Sequence, residues 1–194
     1  MYVPLTLLRR HVLESNRIEG YTTRSLPLYR SHLEAALKVA RNPLWEMPLH
    51  PRVIHEVLCR GTHMNCYGGY YRSCRMWIGG HEAPGPLAVP ELMSHWWGMV
   101  EQSYEYHERE FRSNSREKAW TARFLHNWFL CIHPFEDGNG RTARLFLNSL
   151  RLSYGLSWHT VEYKYRHGYY RSIRSTERTF KKEIEENKTR DVSP

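Results

Sequence analysis

His133-Pro134-Phe135-Glu136-Asp137-Gly138-Asn139-Gly140-Arg141-Thr142-Ala143-Arg144 is the stretch from which the rest of the chain can be read. Gly138-Asn139-Gly140 lets the backbone turn so that successive N–H groups face one point. The residues from Arg141 to about Tyr154 read as a helix, which adds the unpaired N–H groups and positive dipole end of its first turn. Together these form an anion cradle suited to phosphates. Arg141 and Arg144 lie three apart and so share a helix face, and guanidinium forks match phosphate oxygens with two bonds each. Asp137 stands at the entrance, where a carboxylate would repel a bare triphosphate but could hold a magnesium ion bridging its oxygens. His133 carries the nearby side chain whose ordinary pKa, about 6.5, permits proton transfer near neutral pH. Phe135 is expected to point into the core and anchor the loop. Each residue alone would be read as a turn or a structural histidine. Base, carboxylate, cradle and paired arginines in this order describe phosphoryl-type or nucleotidyl transfer.

Working outward, Glu117 to Ile132 is strongly helical, with Trp120, Phe124, Trp128 and Phe129 expected as its buried stripe. A turn is expected at Ser113 to Ser115. Val89 to about Arg109 is a helix that turns Leu92, Met93, Trp96, Trp97 and Val100 inward. Residues 68 to 87 differ: rings and β-branched residues bounded by Gly68-Gly69 and Gly79-Gly80 read as a short strand or hairpin, ended by Pro84, Gly85 and Pro86. Nearer the start, helices are expected over 5 to 18, ending at Gly20, and over 26 to 41, stopped by Asn42-Pro43. A third short helix opens at Pro51 and closes at Gly61. Residues 165 to 186 complete the set, and the charged end from Lys188 is expected to fray. The expected fold is all-α with one small β element, organised as an N-terminal helix (1–20), a main domain (21–187) and a tail (188–194).

A chain of 194 residues suits one domain. Its seven Trp, thirteen Tyr and six Phe argue against disorder, since disordered segments are poor in rings. No apolar run approaches the ~20 residues of a membrane span. Met1 to Leu8 is followed, not preceded, by Arg9 and Arg10, the reverse of a signal peptide. Cys59, Cys66, Cys74 and Cys131 form no Cys-x-x-Cys pair, so reduced thiols and a cytoplasmic setting are expected, with export as an effector left open. The twelve histidines are scattered, and most are expected at or near the surface. A net charge of +8 favours polyanions such as nucleotides, nucleic acid or acidic proteins. The basic residues are interleaved with Glu, as in Lys181-Lys182-Glu183, so nucleic acid is not the expected partner.

The stretch from His133 to Arg144 resembles the signature of the Fic domain family, H-x-F-x-(D/E)-G-N-G-R-x-x-R, with each defined position filled. Ile54-His55-Glu56 through Gly61, Gly69-Tyr70-Tyr71-Arg72 and Ile78-Gly79-Gly80-His81 resemble the helix and flap hairpin that precede it. Tyr169-Tyr170 resemble the paired aromatics near the adenine. The resemblance spans roughly residues 10 to 180 and implies a Fic-type helical domain with a short β-hairpin flap. It also implies a protein adenylyltransferase that uses ATP with Mg2+, moves AMP to a Ser, Thr or Tyr hydroxyl of a target protein and releases pyrophosphate. On that resemblance His133 is the general base, Asp137 holds the metal, and Gly138, Asn139 and Gly140 form the anion hole. Arg141 and Arg144 grip the phosphates. The implied ATP-binding set also includes Thr142, Ala143, the flap residues Ile78, Gly79, Gly80 and His81, and Tyr169 and Tyr170. The flap would hold the target segment by strand pairing. Relatives often carry an Asn about two helical turns after the paired aromatics. Glu177 stands there instead, which leaves the base contact open.

Ser15-Asn16-Arg17-Ile18-Glu19-Gly20 places Ser15 and Glu19 four apart on one helix face. By itself this is a polar face with a glycine cap. It also resembles the inhibitory motif (S/T)-x-x-x-E-(G/N) of Fic proteins, which implies that Ser15 and Glu19 are inhibitory and that Glu19 pairs with Arg144. The fork needed by the γ-phosphate would then be occupied, and a misplacement of about 1 Å can cost roughly a hundredfold in rate. The alternatives are removal of AMP from a modified target, transfer of another phosphate-bearing group, or a non-catalytic basic binding module. Relatives that hold the nucleotide reversed depart from Gly-Asn-Gly-Arg, which this chain keeps. The expected partner is a target hydroxyl docked on the flap, with self-modification and homo-oligomerisation left open and no membrane contact.

Overall fold

The computed structural model describes residues 2–21, 25–42, 46–109 and 114–190. Helices α1 (Leu5–Ile18), α2 (Leu26–Arg41) and α3 (Pro51–Cys59) precede a two-stranded hairpin, β1 (Trp77–Ile78) and β2 (His81–Glu82). Helices α4 (Val89–Arg109), α5 (Ser115–Ile132), α6 (Asn139–Ser153) and α7 (Arg166–Arg190) follow. Local chemistry sets these ends. Asn114 caps α5 by accepting the N–H groups of Arg116 and Glu117 at 3.0 Å each. The His50 ring accepts from Arg52 N at 3.2 Å to start α3, with Pro51 beside it. Among the described residues no helix is long and apolar enough to cross a membrane.

Helix α6 is the axis of the fold. Leu145, Phe146 and Leu150 have no exposed surface, and α5, α2, α3 and α1 all pack against it. Trp96 of α4 completes this core, its ring tilted at 53° to both Phe129 and Phe146 at centroid distances of 5.5 and 4.9 Å. Its indole N–H donates to Leu125 O at 2.9 Å, so the ring is buried without an orphaned donor.

The α-rich expectation holds, and several details are corrected. Trp120 is not in a buried stripe: it is 56% exposed and stacks on Phe124 at the rim of α5. Helical spacing carries Trp120 roughly 140° round from Leu125, so the core arc runs through Ala122, Leu125, Phe129 and Ile132. Ser115 is already helical, and Ser113 and Pro43 lie outside the described residues. Strand pairing is confined to the four residues around Gly79-Gly80, whose φ values of 55° and 93° make a two-residue turn that suits glycine. Tyr70 to Arg72 join no strand, because the Arg72 N–H donates to Pro134 O at 2.8 Å. Helix α7 extends through Arg190. Most histidines with a described side chain are half-buried or exposed, as expected, while His11, His32, His55, His107 and His126 are buried. Cys59 and Cys131 are buried, Cys66 and Cys74 are exposed, and none is in a disulfide.

Candidate active site

The site forms where α5 ends and α6 begins. His133 closes α5 in a left-handed conformation (φ 53°, ψ 60°), the one non-glycine with positive φ among the described residues. A bulky residue adopts that conformation at a cost, which marks functional positions. The ring Nδ1 lies 3.3 Å from Leu130 O. A carbonyl can only accept, so Nδ1 carries the proton and Nε2 keeps its lone pair. Burial lowers the imidazole pKa to about 4. The charge of Arg72 pushes the same way, against the Leu130 bond and the negative charges of Glu19 and Asp137. At neutral pH the ring is therefore an uncharged base.

The loop behind it is held from inside. The Asn139 side chain accepts from Phe135 N at 2.9 Å and donates to Phe135 O at 2.7 Å. Its amide thus shapes the loop instead of facing solvent. Phe135 lies flat on His55, with centroids 3.8 Å apart and planes 2° from parallel. Gly69 N donates to His55 Nδ1 at 3.0 Å, which leaves Nε2–H to donate to Asp137 O at 3.0 Å. Gly138 has φ 75°, and a Cβ there would meet His55 and Leu58 at 3.3 Å, so glycine is required on both counts. The Thr142 N–H takes Gly138 O at 2.9 Å and closes the first turn of α6. The N–H groups of Asn139, Gly140 and Arg141 precede any possible helix partner. Asp137 Oδ1 accepts from Gly138 N at 2.5 Å, while Oδ2 meets Arg141 at 3.3 Å and the Tyr21 hydroxyl at 3.4 Å.

Helix α1 seals this cradle. Arg144 is buried; its Nε donates to Ser15 Oγ at 2.8 Å, and its Nη2 donates to Glu19 Oε1 at 2.7 Å and to Ser15 O at 3.1 Å. A Cβ on Gly140 would overlap the Glu19 carboxylate. An anion thus already sits against the first turn of α6. Arg141, equally buried, lies 4.9 Å over the Tyr21 ring and leaves Nε without a partner. Asn16 fastens the same helix to α2 through His32 Nδ1 at 2.7 Å. Glu14 Oε2 accepts from Tyr163 N at 2.6 Å on the other side.

The Fic/DOC family profile matches residues 50–150, just over half of the chain. This chain belongs to the Fic/DOC family. It is 34% identical to the protein adenylyltransferase Fic of Drosophila grimshawi over 188 residues, covering 85% of this chain and 37% of that protein. It is also 34% identical to the protein of the same name from Aedes aegypti over 105 residues, covering 53% of this chain and 19% of that one. The chain therefore spans well under half the length of these relatives. Among solved structures it resembles a Fic domain containing signaling protein from Bacteroides thetaiotaomicron, with TM-score 0.69, 21% identity, and coverage of 88% of this chain and 72% of that one. It also resembles Fic-1 from C. elegans, with TM-score 0.62, 18% identity, and coverage of 91% and 62%. Both likenesses concern the fold.

The Fic signature residues His133, Asp137, Gly138, Gly140, Arg141 and Arg144 meet at one place with Ser15 and Glu19. Thr142 and Ala143, expected with the nucleotide-binding set, are fully buried in the first turn of α6. The Tyr169 hydroxyl lies between Arg144 Nη1 at 3.5 Å and His126 Nε2 at 3.3 Å. The Tyr170 hydroxyl donates to Ile18 O at 3.2 Å and so holds α1. Ile78, Gly79, Gly80 and His81 form the flap turn. Glu177 pairs with Lys181 at 2.6 Å. His55, Asn16, His32 and Tyr21 went unassigned in the sequence because each acts through a partner at least fourteen residues away.

Proposed function

We propose that this chain is a protein adenylyltransferase that moves AMP from ATP to a hydroxyl of a target protein, with Glu19 as its restraint. The observation that carries the reading is the Glu19 carboxylate, which lies 2.7 Å from Arg144 and fills the space in front of Gly140. A site that accepts a carboxylate between a helix N-terminus and a guanidinium is built for an anion, and the neutral His133 stands beside it. In the transfer, His133 Nε2 takes the proton of the acceptor hydroxyl. The freed oxygen bonds to the α-phosphorus, and the bond from that phosphorus to pyrophosphate breaks. Arg141 and Arg144 hold the departing negative charge, and the first-turn N–H groups orient the phosphates.

The donor set suits magnesium. Asp137 is the exposed carboxylate at the cradle mouth, with its side chain 46% accessible, and Mg2+ is ordinarily held by one or two carboxylates with phosphate and water oxygens completing the shell. Asp137 would be its protein ligand, and the ion would neutralise phosphate charge. With Glu19 in place, Arg144 has no vacant edge for a γ-phosphate.

The test is incorporation of label from α-labelled ATP with magnesium. Glu19→Gly should raise incorporation by roughly a hundredfold, the scale of a lost misalignment, and adding His133→Ala should abolish it. Equal labelling by the parent and Glu19→Gly would overturn the restraint. Labelling that survived His133→Ala would overturn the base.

A further inference from the structure

Arg72 belongs to no helix or strand, yet it is only 3% exposed. Its guanidinium makes four hydrogen bonds, all to main-chain carbonyls. Nε donates to His133 O at 2.8 Å, and Nη2 reaches Ile132 O at 3.5 Å. Nη1 donates to Cys74 O at 2.9 Å, and Nη2 also to Pro84 O at 2.5 Å. The first pair of carbonyls is the C-terminal end of α5, where the negative end of the helix dipole gathers and the helix supplies no basic residue of its own. They are accessible to a cation because His133 is left-handed and turns the chain out of the helix. The second pair flanks the hairpin: Cys74 precedes β1 and Pro84 follows β2, and Ala83 N closes the hairpin between them on Met76 O at 2.9 Å. One rigid planar group thus grips both roots of the flap and the residue that bears the imidazole.

We propose that Arg72 is a positioning residue that locks the flap to His133, so that a strand docked on the flap presents its hydroxyl at a set distance from Nε2. The presentation of a target hydroxyl rests on the adenylyltransferase reading above; the mechanical coupling does not. A guanidinium has five donors in a rigid fork, whereas a lysine ammonium is a single point on a flexible stem. Arg72→Lys therefore keeps the charge and loses the bridge.

Amide hydrogen exchange tests the coupling without activity. In Arg72→Lys the N–H groups of Ala83 and His133 should exchange about tenfold faster together, the scale of losing hydrogen bonds from a charged donor, while amides of α4 around Trp96 keep their parent rates. In the Glu19→Gly background, self-labelling from ATP should show a kcat lowered about tenfold with KM for ATP unchanged. Arg72→Gln should behave no better than Arg72→Lys, since neither restores the fork. Parent-like exchange at Ala83 and His133, an equal rise in α4, or a kcat within twofold of the parent would each overturn the proposal. If Glu19→Gly alone transfers no label, the adenylyltransferase reading fails and the exchange rates still decide the role of Arg72.

Discussion

Arg144 shows how little of a residue's behaviour is its own. Its position in the signature is plain from Gly140 and Arg141 before it, but its charge is met by residues 125 and 129 positions away, Glu19 and Ser15. The two contacts differ in kind. The Glu19 bond joins opposite charges and blocks the fork, whereas Ser15 Oγ accepts one N–H and leaves the blockade standing. Ser15→Ala should therefore weaken the restraint by about 1.5 kcal/mol, the low end for a hydrogen bond from a charged donor. Labelling from ATP should rise about tenfold, short of Glu19→Gly. A Ser15→Ala protein as active as Glu19→Gly would show that the hydroxyl, not the carboxylate, sets the blockade.

At the level of the element, α5 separates what periodicity tells from what packing decides. Its helical character and its end at Ile132 are evident from the apolar spacing and the His-Pro that follows. The buried face differs from the expected one at Trp120, because aromatic residues look alike along the chain and packing against α4, α6 and α7 defines which arc is covered. The energetic consequence is measurable. Trp96→Ala removes a ring with no exposed surface and should cost about 3–5 kcal/mol. Trp120→Ala should cost well under that, about 1 kcal/mol or less, since the ring is 56% exposed. Chemical denaturation of the two variants checks the ranking, and comparable losses would mean that the face containing Trp120 is covered in solution. The flap was legible for a local reason, since Gly79-Gly80 can supply two consecutive positive φ values. The attachment of the flap to His133 was not, because Arg72 bonds carbonyls, which every residue has.

Across the whole molecule, buried histidines dominate the response to acid. Burial lowers His55, His126 and His133 to about 4 and His11 to about 3, from an ordinary 6.5. Unfolding exposes these rings, so between pH 6.5 and 4 the unfolded chain binds more protons than the folded one. Stability contributed by their neutral state is present above pH 6.5 and is lost as pH falls toward 4, at up to roughly 1.4 kcal/mol per pH unit for each ring. Tm should drop steeply from pH 6.5 to 4.5, with proton uptake on unfolding visible by calorimetry in buffers of different ionisation enthalpy. A flat Tm over that range would show that these rings titrate normally. His55 is a specific point of failure: a second ring proton at Nδ1 would face the Gly69 N–H and break the tie between flap stem and cradle.

The sequence by itself determined the α-rich fold, the approximate span of each helix, the cradle chemistry and the order of base, carboxylate and arginines, because each depends on residues within a turn or two of one another. Tertiary structure alone decided which face of α5 is buried, that Tyr169 and Tyr170 hold Arg144 and α1, and that Arg72 joins the flap to His133. These are contacts between segments distant along the chain. Their geometry is set by the packing of whole helices around α6, and no local pattern of residue types encodes that packing.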